Sequence, residues 1–95
     1  MEKENYEIGR IVIAKAGRDE GKAFLITGII DNEYVWIADG ATRRIGHPKK
    51  KKVKHLVCRP QLIEDLMIKL KRGQKVFDAE IRKALIRSGY EIKGG

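Results

Sequence analysis

Residues 8–31 read IGRIVIAKAGRDEGKAFLITGIID. Two runs rich in β-branched residues flank a short polar segment with glycine at both ends. Ile8 to Lys15 has the composition of a strand. So does Ala23 to Ile30, with Gly28 marking a bulge or bend inside it. Gly17-Arg18-Asp19-Glu20-Gly21 is the turn between them. Gly21 stands where a tight loop needs positive φ or a close backbone approach. Arg18 and Lys22 flank it, so the loop presents cations at its tip.

Outward from this hairpin, Asp31-Asn32-Glu33 turns the chain and Tyr34 to Ala38 reads as a third strand. Asp39-Gly40 is a type I′ hairpin signal, which predicts Ala41 to Ile45 as a fourth strand. Pro48 interrupts that strand and opens a lysine run, and Val53 to Cys58 is a short fifth strand. Five short strands joined by tight turns predict a small, strongly bent barrel in a mainly β chain. Pro60 then stops the sheet and can open a helix. Leu62, Ile63, Leu66, Met67 and Leu70 share one helical face. Glu64 and Asp65 sit early, and Lys69, Lys71 and Arg72 late, as the helix dipole favours. Gly73 ends this helix. Asp78 is the expected N-cap of a second, with Ile81, Ala84 and Leu85 inward and Gly89 closing it. The tail after Tyr90 is expected to fray. The reading is a single domain over 1–95, with the barrel at 8–58 and two short helices at 60–89.

A chain of 95 residues buries only about 60–65% of its unfolded surface, too little for a deep cleft with its own lid. No apolar run approaches a membrane span, so no membrane partner is expected. The polar start, Met1 to Asn5, reads as neither a signal nor a transit peptide. The single cysteine, Cys58, cannot make an internal disulfide, which points to a reducing, cytoplasmic setting. The charge is concentrated. Residues 41–59 hold Arg43, Arg44, Lys49 to Lys52, Lys54 and Arg59 and no acid, which equals the +8 of the whole chain. Such a segment sets up a local positive potential that suits a polyanion.

Gly9-Arg10-Ile11-Val12, Ala16 to Lys22, and Phe24 to Asp31 resemble the KOW motif. The likeness runs on through Tyr34 to Gly40, Arg43-Arg44, Pro48 to Lys52, Lys54-His55-Leu56 and Asp78 to Leu85. Over most of residues 8–88 the chain looks like the KOW proteins related to the fourteen-e type of large-subunit ribosomal protein, including their small bacterial members. The resemblance implies an SH3-like barrel with a short helical C-terminal appendage, and a ribosomal or ribosome-associated protein that binds structured RNA, ribosomal RNA first. The candidate RNA-binding residues are Arg18, Lys22, Arg43, Arg44, Lys49, Lys50, Lys51, Lys52, Lys54 and His55, with Gly17, Gly21 and Gly40 as structural loop glycines. Lys49 to Lys52 reads as a flexible clamp on phosphate, positioning rather than specifying; the plainer alternative is a solvated loop that keeps the protein soluble.

Other chemistries fare worse. Gly17 to Lys22 is one residue short of a P-loop, Ala23 replaces its Ser/Thr, and a strand follows where a helix is needed. His47, His55 and Cys58 fall short of the four ligands of a structural zinc site. Cys58 reads as a small buried hydrophobe. His55, among lysines, should favour its neutral form. Glu64 and Asp65 are adjacent on a helix and point apart. Neither an enzyme nor a cofactor is expected. Phe24 and Trp36 read as core; Tyr34, beside a turn, packs on the core or stacks on an unpaired base. The rival function is an SH3-like protein-interaction module that docks ribosomal or transcription–translation proteins, with the first helix or the acidic residues 1–7 as its surface. DNA binding is a weaker rival.

Overall fold

The computed structural model describes residues 6–92. Its strands are β1 (Arg10–Ala14), β2 (Ala23–Ile29), β3 (Tyr34–Ala38), β4 (Lys49–Lys52) and β5 (Leu56–Leu62), with one 3-10 turn at Val53–His55 before β5. Two helices follow, α1 (Glu64–Lys71) and α2 (Asp78–Arg87). All pairings are antiparallel, in the order β4-β3-β2-β1-β5. The last strand thus returns to the first, as an SH3-like barrel requires.

Alternation along the strands feeds two cores, because successive side chains leave a strand on opposite faces. Val12, Ala14, Phe24, Ile26, Val35, Ile37 and Leu56 fill the barrel interior. Ile11, Ala23, Leu25 and Ala38 point outward and are covered by Leu66, Val76, Ile81, Ala84 and Leu85. The helices are therefore part of the fold's apolar burial. Leu66 is buried as its stripe predicts, whereas Met67 is only half-buried. Lys69 of α1 and Glu80 of α2 join the helices at 2.7 Å. That hydrogen bond holds the Lys69 ammonium above, and the Glu80 carboxyl below, its ordinary pKa.

Four local expectations are corrected. Asp39-Gly40 does not make a two-residue hairpin. Every described residue with positive φ is a glycine, so Asp39 does not adopt the I′ geometry. Its buried carboxylate instead organises the following loop: Oδ1 accepts from the backbone N–H groups of Ala41 and Arg43 at 2.9 and 2.8 Å, and Oδ2 from the Thr42 hydroxyl at 2.7 Å. Residues 41–48 are that loop, and the fourth strand is the lysine run itself. Pro60 does not stop the sheet. It lies within β5, opposite a register shift between Arg10 and Val12, where a missing N–H breaks no regular ladder. Asp78 does not cap α2 from its side chain; it accepts from the Ile45 N–H at 2.7 Å and ties the 41–48 loop to the helix. Glu80 reaches back to the Phe77 N–H instead, at 3.0 Å.

The fifth strand is displaced as well, from Val53–Cys58 to Leu56–Leu62, which takes Leu62 into the sheet, while other local signals hold. β2 carries a register shift between Ile26 and Gly28. α1 and α2 end at Gly73 and Gly89, each with a bond from the second residue past the cap, Gln74 N–H to Lys69 and Tyr90 N–H to Leu85. The Tyr90 hydroxyl donates to Gln61 Oε1 and accepts from Arg59 Nε, which fixes the chain against β5 after the last helix. Residues 93–95 lie outside the described residues.

Candidate nucleic-acid interface

Four consecutive lysines are a poor strand by propensity, and pairing with β3 is what holds them extended. The register is Tyr34 with Lys52, Val35 with Lys51, Trp36 with Lys50 and Ile37 with Lys49. Pairing divides the run between two faces, so it is a rigid cationic strand and not a flexible clamp. Lys49 and Lys51 share the face of Ile37 and Val35 and turn towards the glycine loop. Lys50 and Lys52 share the face of Trp36 and Tyr34.

On the first face the organising group is Asp19, 7% exposed. Its carboxylate accepts from Lys49 Nζ at 2.8 Å and lies 3.7 Å from Lys22 Nζ. Burial alone would push its pKa up. The Lys49 hydrogen bond and the charges of Lys49, Lys22 and Arg43 outweigh this and leave the carboxyl below its ordinary value. One acid thus gathers cations from the glycine loop and β4, with Arg43 in its field. Lys51 joins them, its Nζ 3.9 Å from where a Cβ on Gly17 would stand. Gly21, at φ +86°, turns the loop back and donates to the Ala14 carbonyl at 2.7 Å. Sequence reading missed Asp19, whose only signal is an acid three residues before a lysine.

His55 closes this side, its carbonyl accepting from the Lys15 N–H at 2.9 Å. Desolvation, then the ammonium groups of Lys54, Lys51, Lys52 and Lys15, hold its pKa below the usual imidazole value. These causes favour the neutral imidazole, able to donate and to accept. Arg18, Arg44 and Lys54 are exposed, on the glycine loop, the 41–48 loop and the 3-10 turn. Gly40 serves the scaffold and not this face: a Cβ there would run into the Asp78 carbonyl, and Arg82 donates to the Gly40 carbonyl.

The second face carries a correction. Phe24 is wholly buried, but Trp36 is 38% exposed on the outer sheet surface and is not core. An apolar run looks the same whether its alternate residues face a helix or water.

No family model matches the chain. Several curated proteins do, among them the following two. The large ribosomal subunit protein eL14 of Desulfurococcus amylolyticus is 35% identical over 83 residues, spanning 87% of this chain and 79% of that protein. The protein of the same name from Sulfolobus acidocaldarius is 31% identical over the same shares. With the five-stranded barrel and its glycine loop in place, likeness at this level over nearly the whole chain shows that it belongs to the eL14 family of large ribosomal subunit proteins.

Proposed function

We propose that this chain is a ribosomal protein that binds structured ribosomal RNA through the face built from the glycine loop and β4. The observation that carries the reading is the Asp19 cluster. A solubility run would leave its lysines dispersed in water. Here Lys22, Lys49 and Lys51 are gathered at one loop beside His55, and Lys49 and Lys51 belong to the acid-free stretch 41–59 with its eight cations. Cations fixed on a strand meet the phosphates of folded RNA with less ordering cost than cations on a mobile loop. Because double-helical RNA hides its bases in a deep groove, such a face reads shape and backbone. Arg18, Arg43, Arg44 and Lys54 extend it at the rim. The names of the archaeal relatives place those proteins in the large subunit and support the same setting for this one.

The test is crosslinking in cells followed by sequencing of the bound RNA. Ribosomal RNA enriched over messenger RNA and DNA is the expected result; its absence sinks the proposal. A second reading, a protein-docking module, is favoured by exposed Ile68, Phe77 and Ile86 on and beside the helices. Salt separates the two. Phosphate contacts weaken steeply as salt rises, and an apolar protein contact does not.

A further inference from the structure

Tyr34, Trp36 and Ala38 leave β3 on the same, outer face. Ala38 is covered by the helices, but Trp36 is not. The indole lies over Gly28 of β2, its cross-strand partner. A Cβ at Gly28 would stand 3.1 Å from Trp36 Cδ1 and 3.8 Å from Cβ and Cγ. The missing side chain at Gly28 therefore lets the indole settle onto the neighbouring strand. On its other side Trp36 faces Lys50 across the β3–β4 ladder. Lys50 Nζ is 4.5 Å from the centroid of the Tyr34 ring, and Lys52 Nζ is 5.8 Å from it. Two ammonium groups are thus held beside an exposed indole by a second aromatic ring.

We infer that this outer face stacks an unpaired nucleobase on Trp36, with Lys50 and Lys52 taking the adjoining phosphates. The chemistry of the patch selects the ligand. An exposed aromatic surface costs free energy unless covered, and the two cations at its edge disfavour a purely apolar partner. A nucleotide offers a π-face and an anion together. The turn before β3 carries two carboxylates, Asp31 and Glu33, and Asp31 Oδ1 fixes it by accepting from the backbone N–H groups of Glu33 and Tyr34 at 2.8 and 2.9 Å. The inference rests on the RNA-binding reading and extends it. The Asp19 face takes backbone of folded RNA, and the Trp36 face takes a base that has left the stack, as at a loop or bulge.

The protein carries its own reporter, since Trp36 is its single tryptophan. The full chain is titrated with fluorescently labelled decauridylate and with a labelled blunt RNA duplex, following RNA anisotropy and tryptophan emission together. Decauridylate should quench Trp36 as it binds, and the duplex should bind with much less quenching. Trp36→Ala should weaken decauridylate binding by roughly 5- to 150-fold, the range expected for removing one base stack. Trp36→Phe should keep most of the affinity, and it guards against an alanine variant that fails to fold. Duplex affinity should be almost unchanged in both. If anisotropy reports decauridylate binding while emission stays constant and Trp36→Phe and Trp36→Ala bind like the parent, the platform is wrong and the RNA-binding reading stands. If neither RNA binds, both fall together. If emission shifts with protein concentration alone, a second copy covers the indole and the inference is overturned.

Discussion

At Ala38 the outer face of β3 lies beneath the helices and is closed to water; two residues earlier, at Trp36, the same face is 38% exposed. Both residues belong to one strand and one alternation, yet one end serves the core and the other faces water. The difference lies in what was added. α1 and α2 cover only the Leu25–Ala38 end of the sheet, and beyond them the sheet's own neighbours are lysines. A small domain cannot roof its whole sheet, and here the bare part is cationic and aromatic. The covered end should therefore answer to mutation through stability, and the bare end through binding.

The sharpest test at the covered end compares two glycines. Gly40 and Gly21 have similar positive φ, +79° and +86°, so an alanine at either incurs the same backbone strain, about 1–2 kcal/mol. They differ in surroundings. A Cβ at Gly21 meets nothing within 4 Å, whereas one at Gly40 runs into the Asp78 backbone. Gly40→Ala should thus lose roughly 1–3 kcal/mol more than Gly21→Ala, from overpacking at the start of α2. Urea unfolding of the two variants measures the gap. Equal losses would mean that α2 gives way freely and the helices are only loosely seated.

Leu66→Ala tests the same roof by removing volume. Leu66 is 1% exposed within the helix-side core, so the loss should be about 2–5 kcal/mol. For a domain of this size each kilocalorie of destabilisation lowers Tm by roughly 4–8 °C. A Tm that barely moves while a protein partner no longer binds would turn α1 into an interaction surface.

These contrasts also show what could be read from the sequence. The glycine loop, the bulge at Gly28, β3 and both helix ends were legible because each is a local decision: a turn needs glycine, a helix stops where a left-handed residue is cheap. What failed was non-local. Asp39-Gly40 carries a hairpin signal, but the Asp39 carboxylate found three donors downstream and a helix packed against Gly40. Lys49 to Lys52 has no strand propensity, yet β3 offered an unpaired edge. Pro60 survives in a strand because its partner is bulged. In the candidate site the cations were legible by charge alone. Their division between two faces was not, since it depends on the β3–β4 register, and neither was Asp19.

Asp19 gives a pH test lying between the two regimes. Its native pKa is lowered, so the unfolded chain takes up its proton first as pH falls. The stability it contributes is complete above about pH 4, near the unfolded aspartate value. It is lost as pH drops through the lower native pKa. Asp19→Asn should flatten the acid limb of the stability–pH curve, measured by thermal unfolding below about pH 4. An acid limb of unchanged steepness would show that the ion pairs with Lys49 and Lys22 do not persist in solution.

The smallest effect on stability, and the most specific on binding, should come from dividing the lysine run along its register. Lys50 and Lys52 sit on the outer face over Tyr34. Lys49 is engaged with Asp19, and Lys51 lies beside the glycine loop. Serine at 50 and 52 should leave Tm close to the parent. Serine at 49 and 51 should lower it, because among the described residues Asp19 then keeps only Lys22 at ion-pair distance. For single-stranded RNA the outer pair should dominate: each phosphate left without its lysine lowers the slope of log affinity against log salt by about 0.7. For duplex RNA the inner pair should dominate, at about 0.9 per phosphate. Crossing two double variants with two RNAs therefore yields four slopes that no single uniform basic patch reproduces. Equal slopes for the two double variants within each RNA would mean that the lysines act as one diffuse cloud, and the two faces of β4 would differ in structure but not in what they bind.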